Sequence, residues 1–346
     1  MTIGLHTAEL NFEFLKEIGQ EGRNSQVYTA HDKQLDKEIA VKKIRKDSIE
    51  HVDEYYEESK KLNTSYHSNI VNVMYGCSDI DYIYIAMHFY ENGSLKSLIE
   101  DRFLTVREVI RYSIQFLSGL HHIHSKGLIH CDIKPDNILI SDSDEALLSD
   151  FGLAKFMDES GHVSQAGVYT KQAPPEVLIS HDKTIHYDIY QSGLTMYRLL
   201  NGEEHFNNQL VKFTTMDDYK EAIRTGAFPD RNSYLPHIPK KMQKIINKSL
   251  NVEIEDRHCN VLELINELSK IEDGIDWIYE PNDAIRKWTK SISNPVIEIS
   301  LSCDEEGLYS IYTTKTSGAS SPKRITAHCN THLSDYKPEL KRVFKL

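Results

Sequence analysis

Hydrophobic residues in the first ninety positions of the chain alternate as they do in half-buried strands. Residues 39–44 are rich in β-branched side chains, and residues 80–87 place apolar side chains at every second position, which is typical of strands. Between them, residues 51–62 have helical periodicity and begin with a strongly acidic stretch. We therefore predict a small β-rich unit with one main helix over residues 12–90, after an N-terminal segment of residues 1–11.

From about residue 106 the apolar positions follow the period of a helix. Stretches 106–120 and 261–271 carry apolar residues at spacings of three and four, and residues 189–200 do so less regularly. Such stripes are the buried faces of amphipathic helices, so we assign them to core packing. The pattern predicts a larger, mostly helical unit over residues 91–271.

The pattern changes again after residue 271. Apolar and polar residues alternate over 297–302, a turn signal follows, and further strands are predicted at 308–314 and 324–329. A loop rich in Ser, Gly and Pro separates the last two. We therefore predict a small β-rich module over residues 272–346.

Composition limits the class of protein. A chain of 346 residues accommodates two domains or one large bilobal domain. Its net charge of −12 makes general binding to nucleic acid unexpected, and we expect no such partner. No apolar run reaches the length of a membrane span, about 18 residues, and residues 1–10 lack the basic and apolar regions of a signal peptide.

The five cysteines are widely spaced and include no C-x-x-C pair. This spacing argues against a disulfide framework and against a cysteine-rich zinc site. We therefore expect reduced thiols and a cytoplasmic location, without association with a membrane.

Two short motifs indicate the chemistry. Residues 129–139 read I-H-C-D-I-K-P-D-N-I-L, and residues 150–152 read D-F-G. The first resembles the catalytic loop of the protein kinase superfamily, and the second resembles its metal-binding motif. The lysine two positions after the aspartate of the loop is typical of the serine/threonine, eukaryotic-like type.

The resemblance covers residues 12–271. It implies an α+β, bilobal fold, with a β-rich N-lobe over residues 12–90 and a mostly helical C-lobe over residues 91–271. The β-rich extension of residues 272–346 lies outside the resemblance.

Phosphoryl transfer explains the residue types in the two motifs. The reaction needs a carboxylate that orients the attacking hydroxyl, oxygen ligands for Mg²⁺ and a cation beside the transferred group. By resemblance, Asp132 is the base, Lys134 contacts the γ-phosphate of ATP, and Asn137 and Asp150 hold Mg²⁺, with Mn²⁺ as a possible substitute.

A second lysine is expected on a strand of the N-lobe. Residues 39–42 read I-A-V-K and resemble the strand whose lysine pairs with the α- and β-phosphates. The alignment of the alanine favours Lys42 over Lys43. Counting back from the H-S-N-I-V segment gives Glu58 as the partner of this lysine, with Glu57 as the alternative.

The glycine-rich loop departs from the family pattern. Gly19 and Gly22 stand one residue further apart than in G-x-G, and Ser25 replaces the third glycine. Backbone N–H groups of such a loop still suit phosphate binding, although part of the conformational freedom of glycine is lost. The residues that the resemblance assigns to ATP binding are Gly19, Gly22, Ser25, Val27, Ala40, Lys42, Met87, His88, Tyr90 and Leu139.

Other matched positions have structural roles in the family. Glu176, in P-P-E, should pair with Arg257, and Asp188 should brace the catalytic loop. Cys131 stands where many regulated kinases carry an arginine that binds a phosphate of the activation loop, and a thiol cannot make that bidentate contact. We therefore hypothesise that activity does not strictly require a phosphate docked there.

The resemblance favours a serine/threonine protein kinase that transfers the γ-phosphate of ATP to protein hydroxyls and phosphorylates itself. Two alternatives stay open. The irregular glycine-rich loop is compatible with a pseudokinase scaffold, and a kinase-fold enzyme acting on a non-protein acceptor is also compatible, although Lys134 and the P-P-E segment favour protein substrates. The C-terminal module, with Trp277 and Trp288 as a possible core, is either a docking site for a partner or a stabilising extension packed on the larger lobe.

Overall fold

The computed structural model describes most of the chain. The described residues are 10–21, 25–48, 66–164, 171–180, 182–282, 285–290 and 294–345. The helix predicted at 51–62 lies outside them, and so do Gly22, Glu58 and the segment 165–170.

Among the described residues, strands dominate the two ends of the chain, and helices dominate its middle. In chain order the strands are β1 (Phe12–Glu21), β2 (Ser25–Asp32), β3 (Lys37–Arg45), β4 (Val73–Ser78), β5 (Tyr82–His88), β6 (Leu128–Ile129), β7 (Ile138–Ile140), β8 (Ala146–Leu148), β9 (Lys155–Phe156), β10 (Val163–Ser164), β11 (Asp182–Lys183), β12 (Trp277–Pro281), β13 (Ile285–Lys290), β14 (Val296–Cys303), β15 (Tyr309–Thr316), β16 (Lys323–Arg324) and β17 (Asn330–Leu333). The helices are α1 (Leu95–Asp101), α2 (Val106–Ser125), α3 (Ile185–Asn201), α4 (Glu203–Leu210), α5 (Met216–Arg224), α6 (Lys240–Ser249), α7 (Val261–Leu268) and α8 (Lys337–Val343).

The chain divides into two compact units. Unit 1 contains Met1–Asn92 and Leu139–Ser149, and unit 2 contains Gly93–Ile138 and Asp150–Leu346. In unit 1 an antiparallel sheet has the strand order β1-β2-β3-β5-β4. One face of this sheet buries a small apolar core, which explains the β-branched run of β3. The core residues are Ala30, Ile39, Val41 and Ala86.

Helices α2 and α3 form the centre of unit 2. Helix α2 begins at a capping box, in which the Thr105 hydroxyl accepts from Glu108 N (3.2 Å) and the Glu108 carboxylate accepts from Thr105 N (2.8 Å). Its predicted apolar stripe is buried. Helix α3 is buried along nearly its whole length, and this explains its irregular stripe, since a helix surrounded by protein has no solvent-facing polar side. The predicted α+β fold is confirmed.

The C-terminal residues form an antiparallel sheet against which α8 packs. The strand order is β12-β13-β14-β15-β16, and β17 also pairs with β15. Along β14, Ile297, Ile299 and Leu301 are buried, and the residues between them are partly exposed. This alternation is the one predicted from the sequence, and it directs the apolar side of the sheet towards Leu340 and Val343 of α8.

One predicted strand of this module is wrong. Of the strand expected at 324–329, only Arg324 lies in a strand, as the second residue of β16, and a 3₁₀ turn at Thr326–His328 follows. Local hydrogen bonds close the chain into this turn, from His328 N to Ile325 O (2.9 Å) and from Cys329 N to Thr326 O (3.2 Å). The β12–β13 hairpin was not predicted from the sequence.

His237 joins the C-terminal sheet to the helical part of unit 2. Trp288 Nε1 on β13 donates to His237 Nδ1 over 3.1 Å, and both side chains are buried. Phe103 and Leu235, which precede α2 and α6, pack against the core of the same sheet. The C-terminal module therefore shares a core with the rest of unit 2, which favours its interpretation as a stabilising extension.

Burial also changes the protonation of this histidine. It lowers the pKa of His237 to about 3, because the charged imidazole would lose its hydration. In an unfolded chain the pKa of histidine is near 6.5, so the unfolded chain binds more protons than the folded chain between these values. The free energy of unfolding therefore rises with pH through this window, and the contribution of His237 is complete above pH 6.5.

We predict that His237→Gln weakens the acid sensitivity of the fold. In the wild type, this residue should lower the free energy of unfolding by about 1.4 kcal/mol for each pH unit below 6.5. Urea unfolding at several values between pH 4 and pH 7.5 measures the slope. Trp288→Phe is the matched control, since it removes the hydrogen-bond donor and retains the imidazole, so stability should fall while the slope persists. Equal slopes in the wild type and in His237→Gln would contradict the assignment.

No helix in the described ranges is both long enough and apolar enough to cross a membrane.

Candidate active site

Asp132 lies in the loop between β6 and β7, and only 5% of the residue is exposed. Its Oδ2 accepts hydrogen bonds from Lys134 Nζ (2.7 Å) and Asn137 Nδ2 (2.8 Å). Its Oδ1 is buried and, within the described part of the chain, has no hydrogen-bond partner. A buried acceptor without a donor is energetically costly. Two donors therefore hold one carboxylate oxygen, and the other is available to accept a hydrogen bond.

Asn137 is positioned by a 3₁₀ turn at Pro135–Asn137. The proline presets the backbone at the start of the turn, and Asn137 N donates to Lys134 O (3.0 Å). Besides Oδ2 of Asp132, Asn137 Nδ2 also contacts the backbone oxygen of Asp132 (2.9 Å). The amide nitrogen is thus directed towards Asp132, and the amide oxygen is the atom by which Asn137 would bind a cation.

A buried carboxylate on α3 holds the start of the catalytic loop. Asp188 is fully buried. Its Oδ2 accepts from His130 N (2.8 Å), and its Oδ1 accepts from Cys131 N (2.8 Å). His124 Nε2 of α2 lies 2.8 Å from Asp188 Oδ2. These contacts agree with the role that the resemblance implies for Asp188, which is to brace the catalytic loop.

Two further side chains of α3 contact this loop and were not identified from the sequence. Gln191 forms hydrogen bonds with the backbone of Cys131 and Ile133, and Thr195 donates to Ile133 O. They follow Asp188 by three and seven positions, so all three lie on one face of the helix. A stripe of polar residues within a mostly apolar helix could have indicated buried hydrogen bonds, although it does not identify their partners.

The D-F-G segment contacts the catalytic loop within unit 2. Asp150 has a left-handed backbone, with φ of 57°, and its Oδ1 accepts from Gly152 N (3.1 Å). The Phe151 ring meets the His130 ring edge to face, with 4.9 Å between centroids. This contact places the segment that carries Asp150 beside the loop that carries Asp132 and Asn137.

The donor set at this position fits a hard divalent cation. Asn137 offers an amide oxygen and Asp150 a carboxylate, and Mg²⁺ is commonly bound by one or two carboxylates together with substrate phosphates. In the described ranges, no group of three or more His, Cys, Asp or Glu residues could hold a metal ion. Two oxygen ligands of this kind leave the other coordination positions of a hard cation to phosphate oxygens or water.

In unit 1, the strand register brings five predicted nucleotide-binding residues to one face of the sheet. Gly19 pairs with Val27, Val27 pairs with Lys42, and Ala40 pairs with Met87. Directly paired residues, and residues two apart on one strand, project to the same side. Ala40 and Lys42 are buried. These residues were predicted from sequence motifs, and the strand register shows that they lie on one face of the sheet.

The side chain of His88 lies on the other face of this sheet. It is paired with Ile39, one position away from the pair that contains Met87. Its Nδ1 is 3.1 Å from Lys37 Nζ, and its Nε2 is 3.8 Å from Asp142 Oδ2. A contact of His88 with nucleotide would therefore come from its backbone.

Three more predicted residues of unit 1 are described. Ser25 begins β2, and Leu139 lies in β7. Tyr90 follows β5, and its ring packs edge to face on His88 with 4.8 Å between centroids. Gly22 and Glu58 lie outside the described residues.

The predicted pair between Glu176 and Arg257 is present. The guanidinium donates to both carboxylate oxygens, at 2.8 and 2.7 Å, and the arginine side chain is fully buried. It also donates to His186 O (3.0 Å). Such a bidentate, buried pair ties the P-P-E segment to the region that precedes α7.

Cys131 belongs to an apolar cluster beside the catalytic loop. It is buried with Ile129, Val163 and Tyr187, and burial raises the pKa of its thiol. Val163 lies in β10, so this cluster joins the segment after D-F-G to the catalytic loop by packing. A neutral thiol supplies no cation for a phosphate.

The family model described as the protein kinase domain matches residues 12–267. Among curated proteins, the chain is 27% identical over 300 residues to the serine/threonine-protein kinase PknD of Protochlamydia amoebophila, an alignment that covers 76% of this chain and 30% of that protein. It is 30% identical over 268 residues to a probable serine/threonine-protein kinase of Clostridium perfringens, with 75% and 38% covered.

A third relative is the probable serine/threonine-protein kinase PknB of Lactococcus lactis, which is 26% identical over 269 residues, with 75% of this chain and 41% of that protein covered. The chain thus spans well under half the length of these relatives. The family match takes in both motifs, the sheet of unit 1 and the helices from α1 to α7. With Asp132, Asn137 and Asp150 in the geometry described above, this chain belongs to the protein kinase family.

Proposed function

We propose that the chain is an ATP-dependent serine/threonine protein kinase that also phosphorylates itself. The observation that supports this most directly is the state of Asp132. Its Oδ2 is held by Lys134 and Asn137, and its Oδ1 is buried without a partner among the described residues. A substrate hydroxyl would supply the missing donor.

The proposed reaction follows from this arrangement. The hydroxyl of a serine or threonine donates to Asp132 Oδ1, which orients its oxygen towards the γ-phosphorus of ATP. The new O–P bond forms as the bond to the ADP oxygen breaks, and the hydroxyl proton passes to the carboxylate. Lys134, 2.7 Å from Asp132 Oδ2, would offset negative charge on the transferred group.

Nucleotide and metal binding are assigned to both units. In unit 1, the shared face of Gly19, Val27, Ala40, Lys42 and Met87 supports adenine and phosphate binding, with Ser25, Tyr90, Leu139, the backbone of His88 and the pair of Lys42 with Glu58 as further proposed elements. In unit 2, Asn137 and Asp150 would hold Mg²⁺. When bound, the cation neutralises phosphate charge as it is redistributed.

The acceptor is proposed to be protein. Lys134 and the P-P-E segment, held by the pair of Glu176 and Arg257, support this choice over a small-molecule acceptor. Of the curated relatives named above, one is described as a serine/threonine-protein kinase and two as probable ones. The lysine, aspartates and asparagine required for transfer are all present, which argues against the pseudokinase alternative. For the C-terminal module, the shared core with unit 2 favours stabilisation over docking of a partner.

We predict that Asp132→Ala and Asp150→Ala abolish autophosphorylation with labelled ATP and Mg²⁺. Loss of the base alone should lower the rate by about 10² to 10⁴. Asp136→Asn is the matched control in the same loop. Its carboxylate is paired with Lys96 (3.1 Å), and such a partly exposed ion pair is worth up to about 1 kcal/mol. It also lies 3.7 Å from the buried Arg198, which keeps its closer partner Glu203 (2.8 Å) in the variant. The rate should therefore stay within about fivefold of the wild type.

We expect label on serine or threonine in the wild type and in Asp136→Asn, and no label in Asp132→Ala or Asp150→Ala. An unlabelled wild type that still shows a thermal shift with nucleotide and Mg²⁺ would overturn the proposed activity in favour of a nucleotide-binding scaffold. Equal labelling of the wild type and Asp132→Ala would overturn the assignment of the base.

We further predict that phosphatase treatment leaves the transfer rate nearly unchanged. Cys131 is packed among apolar residues and cannot bind a phosphate as an arginine does. The comparison uses initial rates on a protein substrate before and after treatment, with phosphate removal verified by mass spectrometry. A loss of more than about tenfold, a difference of about 1.4 kcal/mol in activation free energy, would contradict the hypothesis.

A further inference from the structure

Helix α3 presents a buried polar stripe to the catalytic loop. Asp188, Gln191 and Thr195 are each 0% exposed, and their spacing puts them on one face of the helix. Buried polar side chains are expensive unless they form hydrogen bonds. Their partners therefore indicate why they are there.

The three side chains contact successive backbone groups of the loop. Asp188 accepts from the N–H of Cys131. The Gln191 amide donates from Nε2 to Cys131 O (3.3 Å) and accepts at Oε1 from Ile133 N (2.9 Å). Thr195 Oγ1 donates to Ile133 O (3.3 Å).

The two hydrogen bonds of Gln191 therefore lie on either side of Asp132. One fixes the carbonyl of the preceding residue, and the other fixes the N–H of the following residue. A single planar amide thus holds both peptide units that flank the base, and the backbone at this point sets the position from which the side chain of Asp132 extends.

The backbone at this point needs such support. Cys131 has φ of 68°, a left-handed conformation that is rare for a residue with a side chain and costs about 1–3 kcal/mol. It persists only where the surroundings fix it. Asp188 holds the N–H of Cys131, and Gln191 holds its C=O.

We propose that Gln191 is a positioning residue for Asp132, acting through the backbone and not by contact with substrate. The inference rests on the kinase activity proposed above. Asp188 holds the start of the loop, whereas Gln191 controls the orientation of the base itself. Removing the amide should leave nucleotide binding intact and misalign the carboxylate that orients the hydroxyl.

The first test is Gln191→Met, which keeps the length of the side chain and removes both hydrogen bonds. We expect kcat to fall by about 10- to 100-fold, since misplacement of a reacting group by about 1 Å is enough for such a loss, while KM for ATP stays within twofold. Ser192→Ala is the matched control. Its hydroxyl is also buried, but donates to Asp188 O within the helix (2.7 Å), so kcat should stay near the wild-type value.

The second test uses Gln191→Glu and the pH dependence of transfer. A protonated carboxyl accepts from Ile133 N and donates to Cys131 O as the amide does, whereas an ionised one cannot donate. Burial, together with the nearby carboxylates of Asp188 and Asp132, disfavours ionisation of the introduced group. The ratio of its kcat to the wild-type kcat should therefore rise as the pH falls from about 8.5 to 6.

The charged and titratable groups around this position come from several elements. On α3 itself there is Asp188, which is bonded to His124 of α2. The loop contributes Asp132 and the Cys131 thiol, on which Lys155 and Lys183 also act electrostatically. From the side of α6, the neighbours of α3 at Gly193 are Ser249 and Leu250, which do not ionise. Dividing each rate by the wild-type rate at the same pH removes the titration of these shared groups.

The outcomes are distinct. A fall in kcat for Gln191→Met with unchanged KM, together with recovery of Gln191→Glu at low pH, supports the positioning role. An unchanged kcat for Gln191→Met, a loss that only matches the unfolded fraction in thermal melts, or a loss of kcat in Gln191→Glu that does not change with pH overturns it. If Gln191→Met fails to fold, the pH profile of Gln191→Glu decides alone. An active wild type with these negative results rejects only the positioning role, whereas an inactive wild type rejects the proposed activity and the positioning role with it.

Discussion

The candidate site depends on the hydrogen bonds that the buried carboxylate of Asp188 accepts. It accepts the backbone N–H groups of His130 and Cys131, and these groups would otherwise be buried without acceptors. Each unsatisfied buried donor costs about 1–3 kcal/mol, and the left-handed backbone of Cys131 adds to that cost. The carboxylate therefore makes this loop conformation accessible, and the positions of Lys134 and Asn137 around Asp132 follow from it.

The catalytic loop is held in two chemically different ways. On the side of α3, hydrogen bonds to successive backbone groups fix its direction. On the side of the segment that follows D-F-G, Cys131 packs against Val163 and Tyr187, and Phe151 packs on His130. Directional contacts thus set the geometry, while apolar contacts keep the neighbouring segment in place without demanding a particular charge. The C-terminal sheet also combines both kinds of contact, since Trp288 packs in an apolar core and donates a hydrogen bond to His237.

Much of the fold was predictable because the spacing of apolar residues in the sequence matches the buried side of each helix or strand. The stripe of α2 and the alternation of β14 each have one buried side and one partly exposed side, so the sequence repeats with the period of the element. The strand expected at 324–329 failed because hydrogen bonds between residues three apart close Thr326–His328 into a turn, and a short apolar run carries no information on such bonds. The β12–β13 hairpin was not predictable in this way, because Trp277, Ile278 and Tyr279 are consecutive apolar residues without alternation.

The candidate site was also only partly predictable from the sequence. Asp132, Asn137 and Asp150 were identified because motif residues stand close together in the chain. The unpartnered oxygen of Asp132 depends on distances that spacing does not report. Gln191 was missed because a polar residue within an apolar helix has no sequence feature that says which backbone it meets. Its role becomes visible only when the loop sixty positions earlier is placed beside it.

The burial of Cys131 has a consequence for thiol chemistry. Only a thiolate exposed to reagent is alkylated, and this thiol is 3% exposed with a raised pKa, whereas Cys303 is exposed. Alkylation at Cys131 therefore requires its apolar cluster with Ile129, Val163 and Tyr187 to open. With Cys303 as an internal reference for reagent strength, the labelling rate at Cys131 measures how often this cluster opens, so the chain contains its own reporter of local opening beside the base.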